Sequence, residues 1–194
     1  MVDDGADEDG ALPAGDFAAW LSGMRAALRG EQESDVPCGT CTACCTSSQF
    51  VHIAPDETDT LAHIPRELLF PAPRAPRGHV VMGYDERGHC PMLADGGCSI
   101  YAHRPRTCRT YDCRVFAATG VEVDADDDTK VAIGLRSRRW RFSFRTGEDR
   151  AAYETTRAAA ASLREREDAP PNATGRAVLA IEHSDGTGSP AADD

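Results

Sequence analysis

The segment CGTCTACC places Cys38, Cys41, Cys44 and Cys45 within eight positions, and Cys90, Cys98, Cys108 and Cys113 follow it. The first block reads C-x2-C-x2-C-C and the second C-x7-C-x9-C-x4-C. A two-residue gap lets a tight turn bring two thiolates to one side, and four such ligands hold Zn²⁺ tetrahedrally at about 2.3 Å. Three cysteines at successive two-residue gaps, with a remote fourth, is also how iron–sulfur clusters are held. Cys38, Cys41 and Cys44 are therefore a candidate tripod. The side chains of adjacent Cys44 and Cys45 diverge in an extended chain and sit about 100° apart in a helix. They are expected to serve different sites, or one of them to stand outside direct ligation. A continuous helix from Cys108 would likewise point Cys113 away from it. Eight thiols allow two four-cysteine sites, or one cluster with leftovers.

Competing readings of the same residues are weaker. Four disulfides would need an oxidising compartment. The N-terminus, MVDDGADEDG, has no basic or apolar signal region, so the expected location is the cytoplasm. No apolar run reaches the roughly 20 residues that a membrane span needs. His52, His89 and His103 lie near the cysteines, and each is a candidate to replace a thiolate, although a hydrogen-bonded surface histidine is the commoner case. Arg104, Arg106, Arg109 and Arg114 surround the second block. They could offset the negative charge of a thiolate-bound metal or pair with Asp95, Asp112 or Glu86. No phosphate-binding glycine loop, radical-type C-x3-C-x2-C motif or hydrolase pattern is present, so no residue is assigned a catalytic role.

The net charge of −11 argues against general binding to nucleic acid or an anionic membrane. The charge is uneven: RSRRWRFSFR, residues 136–145, carries five arginines and no acid. Trp140, Phe142 and Phe144 alternate there with polar residues, as on a half-buried strand. A clamp for single-stranded nucleic acid through Arg138, Arg139 and Arg141 is the alternative reading of that stretch.

The ordered series CGTCTACC, CPML, CSIY and RPRTCR, over about residues 38–116, resembles the YkgJ-type cysteine-cluster family. That CxxCxxCC family is described as zinc- or iron-chelating. The resemblance implies metal binding through Cys38, Cys41, Cys44, Cys45, Cys90, Cys98 and Cys108. Cys113 falls where many members carry an aromatic or apolar residue. A similar cysteine block occurs in flagellin lysine N-methylases, so the resemblance also leaves an enzyme open.

Several elements must position these thiols. Asp16 is a plausible cap for a helix from Phe17 to about Gly30, with Phe17, Trp20, Leu21, Met24 and Leu28 on one face. The cysteine block 38–45 reads as a loop leading into a helical turn. A short strand at 50–55 follows, then a helix through about His63 with Asp56 as its expected cap and Asp59 on the capping-box position. Val80–Tyr84 is expected to form a hairpin returning through Cys90. Pro105 opens a short helix carrying Cys108, Tyr111 and Val115. An Ala-rich helix covers 149–167, and a last helix runs from Thr174 to Glu182, capped by Thr174 or Asn172.

The expected fold is α+β, a mainly helical small domain with short strands organised around a cysteine-bound metal. It spans residues 16–183, between a disordered acidic stretch (1–15) and a disordered tail (184–194). The expected function is metal binding through thiolates, with a 4Fe–4S iron–sulfur cluster slightly preferred over zinc. The alternatives are a metal-dependent enzyme acting on a protein by redox or methyl transfer, and a nucleic-acid binder with structural zinc.

Overall fold

The computed structural model describes residues 10–34, 36–125 and 127–184. The expectations for residues 1–9 and 185–194 lie outside these. In chain order the elements are β1 (Leu12–Asp16), α1 (Phe17–Leu28), β2 (Val51–Ile53), α2 (Thr58–His63), β3 (Leu69–Pro71), β4 (Val80–Met82), β5 (Leu93–Ala94), β6 (Gly97–Cys98), α3 (Arg106–Thr110), α4 (Arg114–Thr119), α5 (Val131–Ser137), β7 (Trp140–Ser143), α6 (Gly147–Leu163) and α7 (Ala173–His183). Single 3₁₀ turns occur at residues 43–46 and 101–103, among others. This is the mixed α+β content expected from the sequence.

Order begins earlier than residue 16. Leu12 and Ala14 alternate inward and pack on Trp140, and β1 pairs in parallel with β7. The acidic, Gly/Ala-rich composition hides this short two-residue period. Asp16 then accepts a hydrogen bond from the Ala19 N–H at 3.0 Å, which starts α1 as expected.

Phe17, Trp20, Leu21 and Met24 of α1 are buried with Val115 and Phe116 of α4, Ile133 of α5, Ala160 and Leu163 of α6, and Ala177, Ala180 and Ile181 of α7. Each large side chain buried there contributes about 1.5–3 kcal/mol. The alanines let helix backbones approach closely. Reciprocal bonds between Thr146 and Asp149 cap α6, and Asn172 caps α7 through the Gly175 N–H at 2.7 Å.

A second, smaller core gathers Val51, Ile53, Ile64, Met82, Met92 and Ile100. It lies under an antiparallel sheet of order β2-β4-β3. The expected 80–90 hairpin is corrected here. The turn exists, with the Gly88 N–H bonded to the Asp85 carbonyl at 2.9 Å, but β4 pairs with the earlier strands β2 and β3. The returning chain leaves the sheet because its backbone bonds elsewhere: the Cys90 N–H donates to the Cys45 carbonyl at 2.7 Å.

Two helix expectations change as well. Asp56 does not cap α2: it pairs with Arg106 at 2.8 Å, and Glu57 holds the cap position without a capping bond. The helix expected from Pro105 through Val115 breaks at Asp112. The buried Asp112 carboxylate accepts bonds from the Trp20 indole N–H (2.9 Å), the Ser34 hydroxyl (3.0 Å) and the Arg114 guanidinium (2.8 Å). Arg114 also donates to the Ala14 carbonyl at 3.1 Å. This pair ties β1, α1 and the second cysteine block together, and losing one partner of such a buried pair costs about 3–5 kcal/mol.

Candidate metal centre

Gly39, at φ +56°, opens the turn that joins the first two cysteines. That left-handed conformation suits glycine. The turn closes with the Cys41 N–H on the Cys38 carbonyl at 2.9 Å. Cys44 and Cys45 follow on the 3₁₀ turn 43–46. The second block is set by three devices. The Cys90–Cys45 backbone bond brings the blocks together, the β5–β6 hairpin places Cys98 opposite Leu93, and Pro105 starts α3, which carries Cys108. Cys113 sits at the start of α4 and accepts the Trp140 indole N–H at 3.2 Å.

The eight cysteines are free thiols, and all of them line two adjoining cavities. Cys38, Cys41, Cys44, Cys45, Cys90, Cys98 and Cys108 border a cavity of about 190 Å³. A neighbouring cavity of about 120 Å³ has Cys113 in its wall in place of Cys98. Both are several times the roughly 10–15 Å³ that one water needs. They lie between the two cores: Cys44 and Cys113 pack on the helical core, Cys90 and Cys98 on the sheet core.

The thiols affect one another. Burial, then the sulfurs of Cys44 and Cys41, push Cys38 up to about 11. Cys108 keeps a solvent-exposed edge, yet crowding by the cavity walls, then by Cys44, Cys90 and Cys98, pushes it up to about 12. Burial raises Cys113 to about 12, against the stabilising Trp140 bond, and Cys38 and Cys41 add to the rise. The hydrogen bond with Cys45, then burial, raises Cys44 well beyond the ordinary thiol range. Burial raises Cys90 too. Two neighbourhoods emerge, Cys38–Cys41–Cys113 and Cys90–Cys98–Cys108, with Cys44 close to both. Such thiols are poor nucleophiles as they stand. A soft or borderline cation that displaces their protons is the chemistry the donor set suits.

Two arginines face these sulfurs: Arg136 acts on Cys38 and Arg104 on Cys108, each favouring the thiolate. Arg106 and Arg114 are committed to Asp56 and Asp112, and Arg109 pairs with Glu33 at 2.7 Å. No histidine lines either cavity among the described residues. His52 bonds His79 at 2.9 Å and His103 bonds Asp59 at 2.8 Å; the His89 backbone N–H donates to Asp85. On β7, Trp140 and Phe142 face inward, and the neighbouring arginines meet the chain's own groups: Arg138 on Asp124, Arg139 on the Gly10 carbonyl and Arg145 on Asp16.

Tyr111 was not singled out as a site residue from the sequence. Its phenol borders both cavities, and its buried hydroxyl has no hydrogen-bond partner among the described residues. Burial, then the nearby Cys113 and Cys44, raise it above the ordinary phenol range, so it stays a donor. The flanking CRTYDC, with a cysteine on either side, is the signal that could have marked it. A protonated donor aimed among thiols fits a centre rich in sulfur acceptors.

No curated protein and no solved structure matches the chain. No helix among the described residues is long and apolar enough to cross a membrane. Residues 37–131, the stretch that holds all eight cysteines, match the model of the CxxCxxCC family, described as a "putative zinc- or iron-chelating domain".

Proposed function

We propose that the protein holds an inorganic centre through thiolates drawn from both cysteine blocks, and that the centre is an iron–sulfur cluster of the 4Fe–4S type in preference to zinc. The observation that carries this reading is the convergence of eight free thiols on two adjoining cavities. Cys38, Cys41 and Cys113 would serve one side, and Cys90, Cys98 and Cys108 the other. Adjacent Cys44 and Cys45, which border both cavities, would complete the two sets. The cavity volumes, each beyond the need of a single small guest, favour a polynuclear centre. Four thiolates on Zn²⁺ or on an oxidised 4Fe–4S cluster leave a net charge of about −2, and Arg104 and Arg136 would offset part of it. The role would be structural, or electron transfer where the cluster is redox active. A reducing compartment such as the cytoplasm keeps such thiols available.

An enzyme acting on a protein substrate is the second reading. Gln49 and Phe50 belong to the wall of the smaller cavity, and Phe50 is 64% exposed. That side of the centre therefore meets the surface, where Phe50 packs on Tyr84 with ring centroids 5.1 Å apart.

Anaerobic purification followed by elemental analysis and a visible spectrum tests the proposal. Iron with acid-labile sulfide and broad visible absorption is the expected result. A colourless protein with stoichiometric zinc would replace the cluster by zinc. A metal-free protein whose eight thiols all react freely in the native state would overturn both.

A further inference from the structure

We propose that Asp59, His63 and His103 form a second, thiol-free binding site for a first-row divalent cation such as Zn²⁺. Asp59 and His63 stand four residues apart on α2 and so share a face. His103 reaches them from the 101–103 turn. One ligand atom from each of the three lies within 4.8 Å of the others. Both imidazole Nδ1 atoms face the same carboxylate, His103 at 2.8 Å from Oδ2 and His63 at 3.8 Å from Oδ1. The two rings are stacked, with centroids 3.6 Å apart and planes 7° from parallel.

Two imidazoles and one carboxylate are donors that suit Zn²⁺, Ni²⁺, Cu²⁺ or Fe²⁺, unlike the all-sulfur set of the cavities. All three side chains reach solvent, which leaves positions open for water or another ligand. As bare ion pairs at this exposure they would contribute little to stability.

The site is held in place without an ion. The buried carboxylate of Glu57, at the start of α2, accepts from the backbone N–H groups of Ala54 and Arg106. It thereby fixes α2 against the segment that follows His103. A second tie, Asp56 to Arg106 at 2.8 Å, runs beside it. The His63 ring is positioned by its Nδ1, 2.8 Å from the Asp59 carbonyl. A cation bound at Nδ1 would replace that bond and the proton between His103 and Asp59. Tyr101 and Arg104, on either side of His103, belong to the wall of the larger cysteine cavity. An ion here would therefore brace that wall from outside.

The test uses the full chain, isolated with its cysteine-held metal, and titrates it with Co²⁺. One equivalent should bind with weak d–d absorption and no sulfur-to-cobalt charge transfer, and should shift the ring protons of His63 and His103 paramagnetically. Asp59→Asn and His63→Ala should each lose that equivalent, while His89→Ala keeps it. Equal uptake by parent and variants, or unshifted His63 and His103 protons in the parent, would overturn the site. Failure of the thiol reading would look different: Co²⁺ would then enter free cysteines and produce sulfur charge-transfer bands, which these variants leave untouched.

Discussion

The Tyr111 phenol is buried among thiols with its hydroxyl unpaired. Leaving a polar group unsatisfied in the interior costs about 1–3 kcal/mol, so the position is unfavourable unless something in the cavity accepts its proton. Thiolates and inorganic sulfide are such acceptors. Tyr111→Phe should therefore have opposite effects in the two forms of the protein. Removing the hydroxyl from the metal-free chain should stabilise it by up to about 1–3 kcal/mol. In the metal-loaded protein the same change would delete a hydrogen bond to the proposed centre, which should then be lost to a chelator faster than from the parent. Melting temperature in the first case and the chelation rate in the second are the readouts. A change of the same sign in both forms would mean that the phenol only fills space.

Beside the Cys90–Cys45 bond that joins the two cysteine blocks, Gly88 and Ser48 make a second contact. The Ser48 N–H donates to the Gly88 carbonyl at 2.8 Å, two residues before the Cys90 N–H reaches Cys45. Gly88 has φ +79°, and a Cβ there would press on the Ser48 hydroxyl. A non-glycine residue in that left-handed region costs about 1–2 kcal/mol, and the loop that carries Cys90 would have to adjust beside its bond to Cys45. Gly88→Ala should lower stability by at least that amount and reduce metal content. Gly147→Ala, with nothing within 4 Å of the new methyl, should do neither. Paired thermal melts and elemental analysis decide the matter. This contact also marks the limit of what the sequence made legible. Elements governed by local chemistry were readable: the Asp16 cap, the α1 stripe, the alternation of β7, the α6 and α7 helices, and the cysteine turn. Those governed by distant partners were not. β4 chooses β2 and β3 over its neighbour, β1 is ordered by Trp140, and Asp112 breaks a helix to accept bonds from Trp20 and Ser34. α5 has too short an apolar period to stand out. The eight cysteines stood out by their spacing, but their two neighbourhoods and the Tyr111 donor exist only once the blocks, more than forty residues apart, have met.

At the scale of the whole molecule, two hydrophobic cores meet across a seam of thiols, and the two cores differ in self-sufficiency. The helical core spans α1, α4, α6 and α7, whereas the sheet core rests on six buried side chains and three-residue strands. Strands that short are marginal alone, so a metal bound across the seam would serve as the sheet core's main staple. Chelation should therefore remove amide protection from residues 36–116 while α6 and α7 retain theirs, with a partial loss of far-UV circular dichroism. Alkali should sharpen the effect. In the metal-free fold the thiols of Cys38, Cys108 and Cys113 sit at about 11 to 12 against an ordinary 9.0. The folded chain then binds more protons than the unfolded one over that range, and stability falls as pH rises from about 9 to 12. In the loaded protein those protons are already displaced, so its melting temperature should change less across the same interval. Parallel melts of the two forms from pH 8 upward would expose the difference. Identical pH profiles, or uniform protection after complete metal removal, would mean that packing alone closes the seam.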